Sequence, residues 1–193
     1  MIAAQQRAQP VEFASLPADT AAARYRRATL SGRFDYGQEL VVSGRTRRGS
    51  PGVDLVTPMR VAGTDTVVLV NRGWVYSPNS AWVDRARWRE RDSASVIGYV
   101  EQFAPDAPLT APAADRRVVR RLSRREAASR VSAPLAPYYL VATGDTASAH
   151  PVRREMPALD AGPHRGYAIQ WFSFAAIAII GALAVIRRER RLP

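Results

Sequence analysis

Cysteine and lysine are both missing from the 193 residues. Without cysteine, disulfides, thiolate metal sites, zinc ribbons and cysteine nucleophiles are excluded together. Histidine is nearly as scarce: His150 and His164 stand fourteen positions apart with no nearby acidic pair, which is not metal-ligand spacing. No G-x-S-x-G elbow occurs, so triad hydrolysis has no foothold, and no GxxxxGK loop is there to cradle a phosphate. No residue supports an enzymatic reading. Internal repeats are also lacking, and Met1-Ile2-Ala3-Ala4 is far too short for an apolar export segment.

What the chain has in excess is arginine. All 28 basic residues are arginine against 17 acidic ones, for a net charge of +11. Arginine without lysine reflects codon bias, but the net charge calls for nucleic acid, an anionic membrane surface or an acidic ligand. The densest cluster, Arg116-Arg117, Arg120-Arg121 and Arg124-Arg125, comes in pairs and is not interleaved with stacking aromatics. It reads as a solvated basic face near anionic lipid head groups, and nucleic acid is not expected as a partner. An apolar fraction of 47% is enough for a folded core, and the length suits one domain.

The sharpest change in composition lies near the C-terminus. Tyr167 to Ile186 is a run of twenty residues without a formal charge, long enough to span about 30 Å as a helix, the thickness of a bilayer's hydrocarbon core. Tyr167 and Trp171 stand at one end, where aromatic rings settle among head groups, and Arg187, Arg188, Arg190 and Arg191 close the other. This predicts a transmembrane helix. Four arginines after the span against Arg153, Arg154 and Arg165 before it favour a cytoplasmic tail.

The region before the span reads as short strands. Ala28–Phe34, Glu39–Ser43, Val53–Val61, Thr66–Val70, Ser95–Phe103 and Tyr138–Thr143 are the expected ones, with Pro58 suited to an edge position and Arg47–Gly52 a break. Thr66–Val70 has the apolar, β-branched character of a buried central strand. Ser123 and Glu126 form a capping-box pattern that predicts a short helix over 124–130, while 79–91 fits neither period. The expected fold class is mostly β with minor α: a compact, barrel-like antiparallel β domain over 1–163, a transmembrane helix with its outer edge over 164–186, and a basic cytoplasmic tail over 187–193.

Two segments stand out. In Val67-Val68-Leu69-Val70-Asn71-Arg72-Gly73-Trp74-Val75 an apolar strand is interrupted by Asn-Arg-Gly; Gly73 permits a bulge or a positive φ, and Trp74 can anchor against the membrane. His164-Arg165-Gly166-Tyr167-Ala168-Ile169-Gln170-Trp171 places a histidine one turn outside the bilayer, before an aromatic girdle. Together these resemble the two signatures of the surfeit locus protein 1 family of cytochrome c oxidase assembly factors. Gly32-x-Phe34, Thr57-Pro58 and Pro137-Tyr138-Tyr139-Leu140 extend the likeness from about Thr29 to Ile186.

The resemblance implies a two-helix protein of the bacterial cell (inner) membrane whose β domain is extracytoplasmic. Its partners would be the oxidase catalytic subunit, other oxidase assembly factors and membrane lipid. The first helix and the Trp-Gln-x-x-Arg stretch of the family are not found here, so Met1 is expected to be an internal start or a truncation. The resemblance also implies delivery of heme a to, or its insertion into, the catalytic subunit. In an ideal helix Trp171 and Tyr167 lie about 20° and 60° from the direction of His164, and Ala168, Ala175, Ala178 and Ala182 fall within about 40° of it. That small-residue face admits another helix or a flat porphyrin. His164 would ligate heme iron, with Tyr167, Trp171 and Arg165 beside it and Arg153, Arg154 or Arg165 pairing with propionates. Asn71, Arg72, Gly73 and Trp74 would be the signature strand. Two alternatives stay open: a scaffold for oxidase subunits that never holds heme, and a membrane-anchored binder of anionic lipid or nucleic acid.

Overall fold

The computed structural model describes residues 8–106, 115–144, 151–157 and 164–189, excepting the side chains of 164, 165, 184, 185, 188 and 189. His150, the first seven residues, and Arg190 and Arg191 of the tail lie outside the described residues. The chain divides into two units, Met1–Met156 and Pro157–Pro193.

Among its described residues the first unit carries eight strands: β1 (Val11–Glu12), β2 (Arg27–Phe34), β3 (Leu40–Arg47), β4 (Ser50–Val61), β5 (Val67–Tyr76), β6 (Ser93–Glu101), β7 (Val118–Val119) and β8 (Tyr139–Ala142). Five of them close a ring, β2-β6-β8-β5-β4 and back to β2. All neighbours in that ring are antiparallel except β5 and β8, which run parallel. The fold is the expected mostly-β one, a five-stranded barrel with few helices. β1 and β7 add short parallel pairings outside it, and β3 pairs with the outer half of β4.

Strand periodicity decides what fills the ring. Ala28, Leu30 and Phe34 of β2, Met59 of β4, Val68 and Val70 of β5, Val100 of β6 and Leu140 and Ala142 of β8 form one cluster. Phe13, Leu16 and Tyr138 join it. The alternate residues of β5, Val67 and Leu69, point the other way and pack with Leu40, Val42 and Val56 under the segment carrying Val119, Leu122, Ala127, Val131 and Leu135. The Val67–Val70 run is therefore covered on both faces, which explains its unbroken apolarity. Truncating Leu140, which has no exposure, to alanine is expected to cost about 2–5 kcal/mol.

The covering segment is held by α2 (Arg124–Ala128), which follows the one-turn α1 (Thr20–Ala23) in chain order. The Ser123 hydroxyl oxygen accepts from the Glu126 N–H at 3.3 Å, and Arg130 pairs with Glu126 one turn back at 2.8 Å. The ambiguous stretch 79–91 contains a 3-10 turn, Arg85–Trp88, opened by the Asp84 carboxylate accepting from the Ala86 N–H.

Two strand expectations are corrected. Pro58 lies inside a central strand, not at an edge. On one side it faces Leu69 of β5; on the other, β4 changes partner from β3, whose pairing reaches Val56, to β2, whose pairing begins at Met59. A residue without an N–H is tolerated at that changeover, and its carbonyl accepts from the Asp35 N–H at 2.8 Å. The supposed break over 47–52 is a tight hairpin. Arg48 and Gly49 have φ of 48° and 81°, both central residues left-handed, and Thr46 already faces Pro51 across it.

Among its described residues the second unit contains one long helix, α3 (His164–Glu189), of 26 residues. At 1.5 Å per residue it is about 39 Å long. Its Gly166–Leu183 stretch has mean hydropathy 1.6 and no part covered by the rest of the chain, so it is long and apolar enough to cross a membrane.

Candidate functional site

The signature strand β5 is interrupted where the sequence suggested. Val56 of β4 faces Asn71 and Leu55 faces Gly73, so Arg72 is the extra residue of a β-bulge. Gly73 has φ 129°, and a Cβ there would meet the Val152 carbonyl oxygen at 2.4 Å. The Asn71 side-chain oxygen accepts from the Gly73 N–H at 3.0 Å and steadies the bulge. Just beyond it, Trp74 and Val152 exchange backbone hydrogen bonds of 2.9 and 2.8 Å.

The bulge turns Arg72 inward, where it has no exposure. Its Nη2 donates to Glu39 Oε2 at 2.6 Å and its Nε to Thr57 Oγ1 at 2.7 Å. Nη1 donates to the Trp88 carbonyl at 2.7 Å and to Glu90 Oε2 at 3.0 Å. The Thr57 hydroxyl passes its proton bond on to Glu39 at 2.5 Å, and the Tyr36 ring lies 5.0 Å from the guanidinium. Burial alone would pull the Arg72 guanidinium down, but Glu39 and Glu90 more than offset that and raise it.

The segment after Val152 is fastened to the same place. Arg153 donates to the Arg72 carbonyl and to Glu90 Oε1. Burial and the nearby Arg72 charge lower the Arg153 guanidinium against the pull of Glu90. Arg154 donates to Asp54 Oδ2 at 2.6 Å, where Arg45 also approaches to 3.4 Å; the other oxygen of Asp54 is buried without a donor among the described residues. Two arginines and two carboxylates thus form a neutral cluster on one side of the bulge, with an arginine-rich one on the other. The arrangement holds a segment in place; its charges are engaged with one another.

Against the sequence expectations, Asn71, Arg72 and Gly73 come together as the core of this clasp. Trp74 is not a free membrane anchor: its half-buried ring covers Gly52, where a Cβ would lie 2.3 Å from the indole. Arg153 is not free to meet propionates, because Glu90 and the Arg72 carbonyl take it up. Arg154 keeps 44% side-chain exposure beside Asp54. Tyr167 and Trp171 are exposed on α3 at 57% and 71%, with Trp171 edge-on to Phe174 at 6.4 Å. His164 begins α3, but its side chain and that of Arg165 lie outside the described residues. Among the described residues no group of three or more His, Asp or Glu could hold a metal ion.

Sequence reasoning missed Glu39, Glu90, Tyr36 and Asp54. The one available signal was Thr57-Pro58, which marks the β4 position that bonds both Glu39 and Arg72.

The chain is 31% identical to a SURF1-like protein of Monosiga brevicollis over 51% of this chain and 44% of that protein. It is 27% identical to a SURF1-like protein of Drosophila melanogaster over 86% and 61%. An uncharacterized SURF1-like protein of Mycobacterium tuberculosis is 28% identical over 88% and 64%. The chain spans less than two thirds of the length of each of these relatives. The SURF1 family model matches residues 1–176, which takes in the barrel, the clasp and the first half of α3, and the chain belongs to the SURF1 family.

Proposed function

We propose that this chain is a membrane-anchored, non-enzymatic factor in the assembly of cytochrome c oxidase, aiding delivery of heme a to the catalytic subunit or its insertion there. The observation that carries the reading is α3. It is apolar and uncovered over Gly166–Leu183, begins at a histidine, and belongs to a chain of a family known as cytochrome c oxidase assembly factors. In this reading the β unit is extracytoplasmic in a bacterial inner membrane, the arginine tail is cytoplasmic, and the partners are the oxidase catalytic subunit and its other assembly factors.

The described residues of α3 fit a flat, largely apolar cofactor. Ala168, Ala175, Ala178 and Ala182 are exposed and keep one side of the helix low, while Tyr167 and Trp171 supply exposed rings near its start. His164 would offer an imidazole nitrogen as an axial ligand, and Arg165 would pair with a propionate. Heme a, when bound, is cargo for the oxidase. The clasp at Arg72 would keep the residues leading to α3 fixed to the barrel.

A scaffold that never holds heme is favoured by one observation: the signature residues Asn71, Arg72 and Gly73 are spent on the clasp. Co-expression with a heme a synthesis system separates the two. Wild-type protein should purify with a Soret band that His164→Ala loses. Heme-free wild-type protein, or an unchanged band in the variant, overturns the ligand role. Normal oxidase maturation and subunit pull-down by His164→Ala would then support the scaffold.

A further inference from the structure

A cleft of about 640 Å³ lies on the outer face of the barrel, where β3, β4, β5, β6 and β8 present outward side chains under a rim formed by 102–105 and 121–122. Its volume falls within the usual range of small-molecule sites. Four arginines line it: Arg24, Arg45, Arg121 and Arg154. Among the described residues two carboxylates oppose them, Asp54 and Glu101, for a net charge of +2 along the wall (four less two).

The pairing leaves donors over. Glu101 is taken by Arg24 at 2.7 Å, and one oxygen of Asp54 is shared between Arg154 and Arg45. The Arg45 Nε approaches Asp54 only to 3.4 Å, outside hydrogen-bond geometry, and Arg121 is exposed and makes no ion pair among the described residues. The remaining walls are aromatic. Phe103 and Tyr139 meet at 5.4 Å between ring centroids, and Tyr99 is 5% exposed. Neither tyrosine hydroxyl is engaged by a partner among the described residues. Burial raises both phenols, Tyr99 to about 12, so they stay protonated donors. The wall thus combines Arg121, unpaired among the described residues, with two phenols and with two guanidinium groups that share one carboxylate oxygen.

We propose that this cleft binds a small amphipathic dianion: a flat apolar body against Phe103 and Tyr139, with acid groups taken by Arg121, Arg45 and the outer side of Arg154. Charge-assisted bonds to guanidinium serve carboxylate and phosphate alike. The proposal does not rest on the heme reading.

The test uses the full chain in detergent micelles and isothermal titration calorimetry with three probes. Naphthalene-2,6-dicarboxylate and 1-naphthyl phosphate distinguish the two acid types; inorganic pyrophosphate carries charge without the plate. At least one naphthyl probe should bind one-to-one, with pyrophosphate at least tenfold weaker. Arg121→Gln and Tyr139→Phe, both mild at the rim and wall, should each weaken the bound probe about tenfold, and Arg33→Gln, exposed on β2 outside the cleft, should leave it unchanged. Failure of both naphthyl probes, equal binding of pyrophosphate, or wild-type affinity in Arg121→Gln overturns the proposal.

Discussion

Arg153 donates to the backbone carbonyl of Arg72, 81 positions earlier, while the two oxygens of Glu90 are divided between the two guanidinium groups. Two like charges are thereby held side by side deep in the clasp, made tolerable by Glu90 between them and Glu39 beneath. The bulge at Arg72 is what frees that carbonyl from the β4–β5 ladder and aims it at the segment leading to α3.

Removing one partner of this cluster strands the other. Arg72→Leu leaves Glu39, 1% exposed, without its cation, and is expected to cost about 3–5 kcal/mol in urea unfolding. The double variant Arg72→Leu/Glu39→Leu should lose less than the sum of the two single ones, because no buried charge is left unpaired. Additive losses would show that the pair is not energetically coupled.

Gly73→Ala puts a methyl group where the Val152 carbonyl lies, at a φ of 129° that side chains rarely adopt. The pairing of Trp74 with Val152 should open while the ring of strands stays folded. Limited trypsin digestion read by mass spectrometry should show faster cutting after Arg153 and Arg154 with unchanged circular dichroism. Equal cutting rates would mean that the bridge does not hold the segment.

The Ser123 cap secures the cover over Val67 and Leu69. Ser123→Ala is expected to cost about 1 kcal/mol, lowering Tm by about 2–4 °C in a thermal melt. Ser123→Asp, which keeps an acceptor, should restore most of it.

Stability should fall on the alkaline side for a reason visible in the barrel. Burial raises Tyr36, Tyr138 and Tyr139, and Tyr99 reaches about 12. Unfolded tyrosines ionise near pH 10. Between about pH 10 and 12 the unfolded chain has lost protons that the folded one retains, so the tyrosines' contribution to unfolding free energy is level below pH 10 and declines above it. Urea unfolding at stepped pH should show the decline, shallower in Tyr99→Phe.

Much of this was legible locally. The apolar run of α3, the capping pattern at Ser123 and the two-sided burial of Val67–Val70 each follow from neighbours a few residues apart. Gly73 pointed to a bulge or a positive φ, and the strand has both. What could not be read locally was set by distant pairings. Pro58 lies mid-strand because β4 changes partners there, a fact carried by β2 and β3. Arg72 gave no sign of being buried, since an arginine is ordinarily solvated and its partners come from 33 positions upstream and 18 downstream.

Closure of the ring through β2 and β4 has a consequence for recognition. Among the described residues the outermost members of the sheet are β1 and β7, two residues each. Those two members offer little backbone for another polypeptide to extend. A longer open stretch lies within the ring: β8 pairs with 98–101 of β6 and leaves 93–96 without a strand on that side among the described residues, so an added strand has that stretch to grip.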